Sequence, residues 1–141
     1  MSVVDEILTA HDHGARCGVS AATNPSVVDV AAEFGLRAER RVYREIDAAT
    51  ARAVVCHVLS RGLVYHTRYM SPDEADRLAA AFLDLFGPAA LYFGNGWRPP
   101  DVPGERMMSN SWTPATDATF DTGVVVVGPE RSGCLWVEDE D

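Results

Sequence analysis

The clearest β pattern in the chain lies in residues 119–141. Residues 119–127 contain four consecutive valines, which indicates a strand whose two faces are both covered. In the run that follows, Cys134 and Trp136 face one side of a second strand and the residues next to them face the other. The turn-rich Pro-Glu-Arg-Ser-Gly segment joins the two runs, so the pattern predicts a β-hairpin.

The strongest helix pattern covers residues 72–86. Ser71 is placed as the N-cap, Pro72 occupies the first helical position and Glu74 completes a capping box. From Ala75 onward, apolar residues recur at helical spacing, and a Gly-Pro pair ends the pattern. This segment is therefore predicted to be an amphipathic helix that packs on the sheet.

Weaker patterns predict the remaining elements. Three more helices are expected. The first covers residues 2–11, the second begins after Asn24 as N-cap and ends at Gly35, and the third covers residues 48–61 after Asp47 as N-cap. Strands are expected at residues 63–70 and 91–93, a loop at 18–23, and a strand or a solvated linker at 40–46. Together the elements predict one α+β domain over residues 1–141. It would have about four helices packed on one face of a mainly antiparallel sheet of four to five strands ending in a C-terminal β-hairpin.

Charge is distributed unevenly along the chain. The 141 residues carry a net charge of −9, with twelve basic residues that are all arginine. Residues 71–141 hold thirteen acids and four arginines, whereas residues 37–70 hold seven arginines and three acids. Phosphate binding needs positive charge, so the acidic half disfavours nucleic acid or an anionic membrane as its partner. It suits a basic protein partner instead.

The sequence also predicts the cellular compartment and the state of the thiols. No apolar run approaches the roughly 18 residues that span a bilayer, and the amino end lacks the basic flank of a signal peptide. We therefore expect a cytoplasmic protein. Cys17, Cys56 and Cys134 are odd in number and lack a Cys-x-x-Cys spacing, so buried thiols are expected rather than a disulfide framework or a thiolate zinc site.

Two regions supply the candidate partner-binding residues. Residues 94–118 have no periodicity, contain four prolines and two tryptophans, and resemble a functional loop. The alternative is that both tryptophans fold back over the sheet. The second region is the acidic end of the chain, which provides charge for electrostatic steering. The predicted partner-binding residues are Trp97, Arg98, Trp112, Asp117, Asp121, Glu138, Asp139, Glu140 and Asp141.

A catalytic function is the weaker alternative. The chain lacks the Gly-x-Ser-x-Gly, phosphate-loop, dinucleotide-binding and His-Glu-x-x-His motifs, and no cofactor is predicted. A small metal-dependent hydrolase or lyase remains open, because carboxylates and a histidine could converge around a divalent ion. The residues for such a site are Asp117, Asp121, Glu138 and Asp139 with His11 or His66. The His11-Asp12-His13 spacing could also chelate a metal, although exposed polar residues at a helix end are the better interpretation.

These observations favour a small acidic binding protein that neutralises a basic partner. Bacterial immunity proteins, which inhibit toxin enzymes, are similar to this chain in size, acidity and lack of catalytic motifs, although no motif of such a family is matched. The acids would steer association, and the tryptophan segment would act as an apolar anchor. A third interpretation is a domain that forms a homodimer through an exposed sheet edge.

Overall fold

The computed structural model describes residues 2–11, 14–63, 68–99 and 112–140. Within these ranges the helices are α1 (Val3–Ala10), α2 (Val27–Glu33), α3 (Ala48–Ser60) and α4 (Pro72–Asp84), with a 3-10 turn at Arg40–Val42. The strands are β1 (Ala15–Val19), β2 (Arg44–Ile46), β3 (Leu91–Gly94), β4 (Phe120–Val127) and β5 (Ser132–Asp139). None of these described helices is long and apolar enough to cross a membrane.

The five strands form one sheet in the order β1-β5-β4-β3-β2, and every neighbouring pair is antiparallel. The predicted α+β class and the C-terminal strand pair are confirmed. In the β4–β5 hairpin, the register runs from Phe120 opposite Asp139 to Val127 opposite Ser132. The hairpin therefore supplies two of the three inner strands of the sheet.

Helices cover both faces of the sheet, so the prediction that they pack on one face is not confirmed. Val124, Val126 and Leu135 are buried with α1, α3 and α4. The alternate positions, including Val125 and Trp136, are buried with α2. Successive side chains of a strand point to opposite faces, so the run of valines places apolar groups on both sides and each side needs a cover.

The N-caps follow local side-chain chemistry. Asp47 caps α3, where its Oδ1 accepts from the Thr50 backbone N–H at 2.8 Å. Ser71 caps α4 as predicted. Helix α2 begins later than predicted, because Ser26 is its N-cap and forms a reciprocal capping box with Asp29. Asn24, the expected cap, instead has a positive φ of 51° in the preceding turn.

Strand β1 is the element that the sequence pattern does not predict. It pairs with β5 from Ala15 opposite Val137 to Val19 opposite Gly133, and it forms one edge of the sheet. The other edge is β2, preceded by the 3-10 turn, in the segment where a strand or a linker was predicted. A strand was also predicted over residues 63–70, and its middle part, residues 64–67, lies outside the described ranges.

The three cysteines are free thiols. Cys134 is buried, while Cys17 and Cys56 are partly buried. Burial raises the pKa of Cys17 to about 12, so its thiol stays protonated at neutral pH.

Candidate functional site

The sheet gathers most of the predicted site residues at one of its ends. In the antiparallel register, β3 and β5 end where β1 and β4 begin. Trp97 and Arg98 follow β3, Trp112 and Asp117 precede β4, and residues 138–140 finish β5 or follow it. Segments that are distant in the sequence are therefore brought to the same edge of the molecule.

At this end a depression of about 480 Å³ combines predicted acids with two arginines. Its walls come from β1, the segment after α2, the segment before β4 and the end of β5. The lining residues include Arg16, Arg37, Asp117, Glu138 and Glu140. Three of the predicted partner-binding acids thus share one concave surface.

Each arginine in the depression is tied to one acid. Arg16 donates through Nη2 to Glu138 Oε1, and through Nη1 to the backbone oxygen of Phe34 at 3.0 Å. Arg37 donates through Nη2 to Asp117 Oδ1 at 2.9 Å, and through Nη1 to the backbone oxygen of Pro114 at 3.1 Å. The two cations orient the acids and join the segments that carry them. They were not predicted as site residues, since nothing local in the sequence indicates that these arginines face the acidic end.

The depression retains an excess of negative charge. The Asp117 side chain is fully exposed, with a relative accessibility of 101%. Glu140 is also exposed and accepts a hydrogen bond from Thr119 Oγ1 at 2.6 Å. Of the five charged residues that line the depression, three are acids and two are arginines. Asp117 and Glu140 are therefore the acids most accessible to a cationic group.

Asp121 lies in the interior, so the prediction that it contacts a partner does not match its position. Only 2% of the surface of Asp121 is exposed. Oδ1 accepts from the indole N–H of Trp136 and the backbone N–H of Ala115, each at 3.0 Å. Oδ2 accepts from the backbone N–H of Thr116 at 3.1 Å and from its hydroxyl at 2.9 Å. This carboxylate fixes the segment that carries Asp117 rather than facing solvent.

Asn95 extends this interior network to β3. Its Nδ2 donates to the backbone oxygens of Thr113 at 3.0 Å and Asp121 at 2.9 Å, and its Oδ1 accepts from Thr122 Oγ1 at 2.8 Å. Buried polar groups that are fully hydrogen-bonded make a region rigid. One wall of the depression is therefore held in place by polar contacts beneath it.

The acids at the end of β5 do not form one continuous surface. Glu138 faces the α2 side, where it meets Arg16. Asp139 points to the other face, and its Oδ2 accepts from the Leu63 backbone N–H at 2.9 Å. The two-residue period of a strand separates these neighbours. Asp141 lies outside the described residues.

The aromatic candidates do not line the depression. Trp97 is half-buried and makes an edge contact with His57 at 5.0 Å between ring centroids. Trp112 is half-buried against Phe120 at 5.9 Å. Hydrogen bonds from Thr50 lower the pKa of Asp47, and the positive charge of Arg98 lowers it further. Both tryptophans therefore pack partly back on the domain, which was the alternative interpretation.

The carboxylates proposed for a metal site are occupied by protein contacts. In the described ranges, no group of three or more His, Cys, Asp or Glu side chains could hold a metal ion. Asp121 is bonded to interior donors, and Glu138 is paired with Arg16. His11 is buried against the Tyr69 ring, at 4.3 Å between centroids. His13 and His66 lie outside the residues that the structure describes.

Comparisons with protein-family models, curated proteins and solved structures yield no match to this chain.

Proposed function

We propose that this chain is a cytoplasmic binding protein that neutralises a basic protein partner, in the manner of an immunity protein that inhibits a bacterial toxin enzyme. The observation that carries the proposal is the convergence of Asp117, Glu138 and Glu140 on one depression. A net charge of −9 adds a long-range attraction for a basic surface.

The recognition step follows from the exposure of these acids. Asp117 and Glu140 are exposed, so an arginine or lysine of the partner can approach them without displacing core side chains. Arg16 and Arg37 keep the acids in position, which lowers the entropy lost on binding. Exposed ion pairs contribute only about 0–1 kcal/mol each, so the acids mainly accelerate association and select the partner.

The burial of Asp121 and the packing of the tryptophans support a smaller set of proposed contact residues. Asp121 acts through the segment that it holds, because its carboxylate is buried. Trp97 and Trp112 are half-buried and do not line the depression, so we do not place them at the centre of the proposed contact surface. Among the described residues, no cluster of side chains favours a metal-dependent hydrolase or lyase.

The decisive experiment is affinity capture from the native host with three forms of the chain. The first is wild type, the second carries Asp117→Asn with Glu140→Gln, and the third carries Asp84→Asn with Glu130→Gln. Asp84 and Glu130 are exposed acids away from the depression, so both double variants lose the same amount of negative charge. We expect wild type and the third form to capture one basic protein in stoichiometric amounts, and the second form to lose it.

Two further readouts connect capture to function. Moderate salt should release the partner, because screening weakens attraction between exposed charges. Any enzymatic activity of the captured protein should be suppressed by wild type and much less by the second form. Equal capture by both double variants would remove the depression from the mechanism, and capture of nothing by wild type would contradict the proposal.

A further inference from the structure

We propose that the outer edge of β1 pairs antiparallel with β1 of a second copy of this chain, centred on Cys17, and joins two sheets into one. This inference is independent of the proposed partner. Strand β1 covers Ala15–Val19 and pairs with β5 on one side. On its other side no strand lies among the described residues, and residues 15–18 are only partly buried.

Two hydrogen bonds at the ends of the β1–β5 ladder show which backbone groups of β1 face outward. Ser20 N donates to Ser132 O at 2.7 Å, and Glu138 N donates to Gly14 O at 3.1 Å. In an antiparallel pair, bonding toward a given neighbour alternates along the strand. The even-numbered positions of β1 therefore bond to β5. The N–H and C=O groups of Ala15, Cys17 and Val19 face away from the sheet.

Two devices that usually prevent strand pairing, proline and unpaired charge, are absent from this edge in the described part of the chain. It has no proline, and its single charged residue, Arg16, is bonded to Glu138 and to the backbone of Phe34. The opposite edge, β2, spans only three residues and exposes Arg44 and Glu45. Short, charged edges resist pairing, so β1 is the edge suited to it.

Two exposed apolar side chains lie on β1 and on the helix packed against it. The large hydrophobic side chains exposed in the described part of the chain are Leu8 at 38%, Val19 at 43% and Leu91 at 47%. Leu8 lies on α1 and Val19 on β1, and these two elements pack against each other. Pairing through β1 would remove apolar surface from water in addition to satisfying the backbone groups.

A second copy fits because the strand is complementary to itself. In the register centred on Cys17, Ala15 lies opposite the second copy's Val19, and each outward-facing pair exchanges two hydrogen bonds. Arg16 lies opposite Gly18 rather than opposite another arginine, so no like charges face each other directly. The strand thus supplies matching backbone groups and compatible charges to its own copy.

Light scattering coupled to size-exclusion chromatography tests this proposal with Val19→Pro. The substitution removes an N–H that faces outward, so the β1–β5 bonds remain. Val19→Thr is the matched control, because it keeps the N–H and the β-branched shape. We expect twice the chain mass for wild type and Val19→Thr, and the mass of a single chain for Val19→Pro with an unchanged circular dichroism spectrum.

Amide hydrogen exchange gives a second readout that needs no variant. The Cys17 and Val19 amides of wild type should become more protected as the protein concentration rises, whereas Gly18, which bonds to β5, should stay protected throughout. A wild-type protein that is monomeric at every concentration would overturn the proposal. So would a dimer that persists in Val19→Pro, or exchange at Cys17 and Val19 that does not depend on concentration.

Discussion

Replacing Asp121 tests whether the interior network holds the wall of the depression. Asp121→Ala removes the acceptor for five donors: the indole N–H of Trp136, the backbone N–H groups of Ala115 and Thr116, the Thr116 hydroxyl and the side-chain amide of Asn95. A hydrogen bond to a charged group contributes about 1.5–3 kcal/mol, and a buried donor without a partner costs about 1–3 kcal/mol. These contributions are not additive, since the donors share one carboxylate.

We therefore expect Asp121→Ala to lower the free energy of unfolding by about 3–4 kcal/mol. Asp121→Asn should cost less, about 1–3 kcal/mol, because its oxygen can keep the contacts of Oδ1. Its NH2 group would meet the Thr116 backbone N–H, which is also a donor. The free energy is measured by urea unfolding, followed by tryptophan fluorescence and far-ultraviolet circular dichroism.

Asp117→Ala is the matched control, since it removes a carboxylate from the same segment at a fully exposed site. It should change the free energy of unfolding by no more than about 1 kcal/mol. If Asp121→Ala destabilises the protein no more than this control does, the network does not hold the segment and the reasoning is refuted.

Three further predictions concern the sheet, a helix cap and a thiol. In Gly123→Ala, the new Cβ would lie 2.1 Å from a backbone oxygen of β5, so a loss of about 1–3 kcal/mol or more is expected in urea unfolding. Gly94→Ala, with its nearest contact at 3.6 Å, should be tolerated, and equal losses would contradict the geometry. Hydrogen bonds from Thr50 lower the pKa of Asp47 in the folded protein. The stability contributed by this charged cap is therefore fully present above the carboxyl pKa of the unfolded chain, and it is lost as the pH falls through the lower pKa of the folded protein. Because Asn also caps helices, the Tm of Asp47→Asn should equal that of wild type near neutral pH and should fall less steeply as the pH is lowered. If Tm falls equally with pH in the two proteins, the charge of Asp47 does not stabilise the helix. Burial raises the pKa of Cys134, so its thiol should react with an aromatic disulfide reagent only on unfolding, and rapid labelling of the native protein would contradict its burial.

Local patterns predicted the elements whose signals are contained in a few neighbouring residues. Ser71 does cap α4, and the valine run does form an inner strand. Strand β1 was missed because Ala-Arg-Cys-Gly-Val has neither a clear alternation nor a run of β-formers. Its pairing with β5 supplies what the local sequence lacks. Tertiary contacts therefore decided this element.

The sequence identified the acidic residues of the site but not their environments. Asp121 is two and four residues from Gly123 and Val125, so it shares their face of β4. A strand covered on both faces buries that position, and this signal could have indicated an interior acid. The partnership of Arg16 with Glu138 had no such signal, because it joins residues at opposite ends of the chain.

The place of β1 beside β5 also affects how the chain folds during synthesis. Within the described sheet, residues 15–19 pair with residues 133–137. Contacts between such distant segments close large loops, and a high contact order slows folding. On the ribosome, β1 would leave the exit tunnel long before β5 does. A nascent chain arrested before residue 132 should therefore lack this edge of the sheet, and its open strand would be a site for chaperone binding or aggregation until synthesis continues.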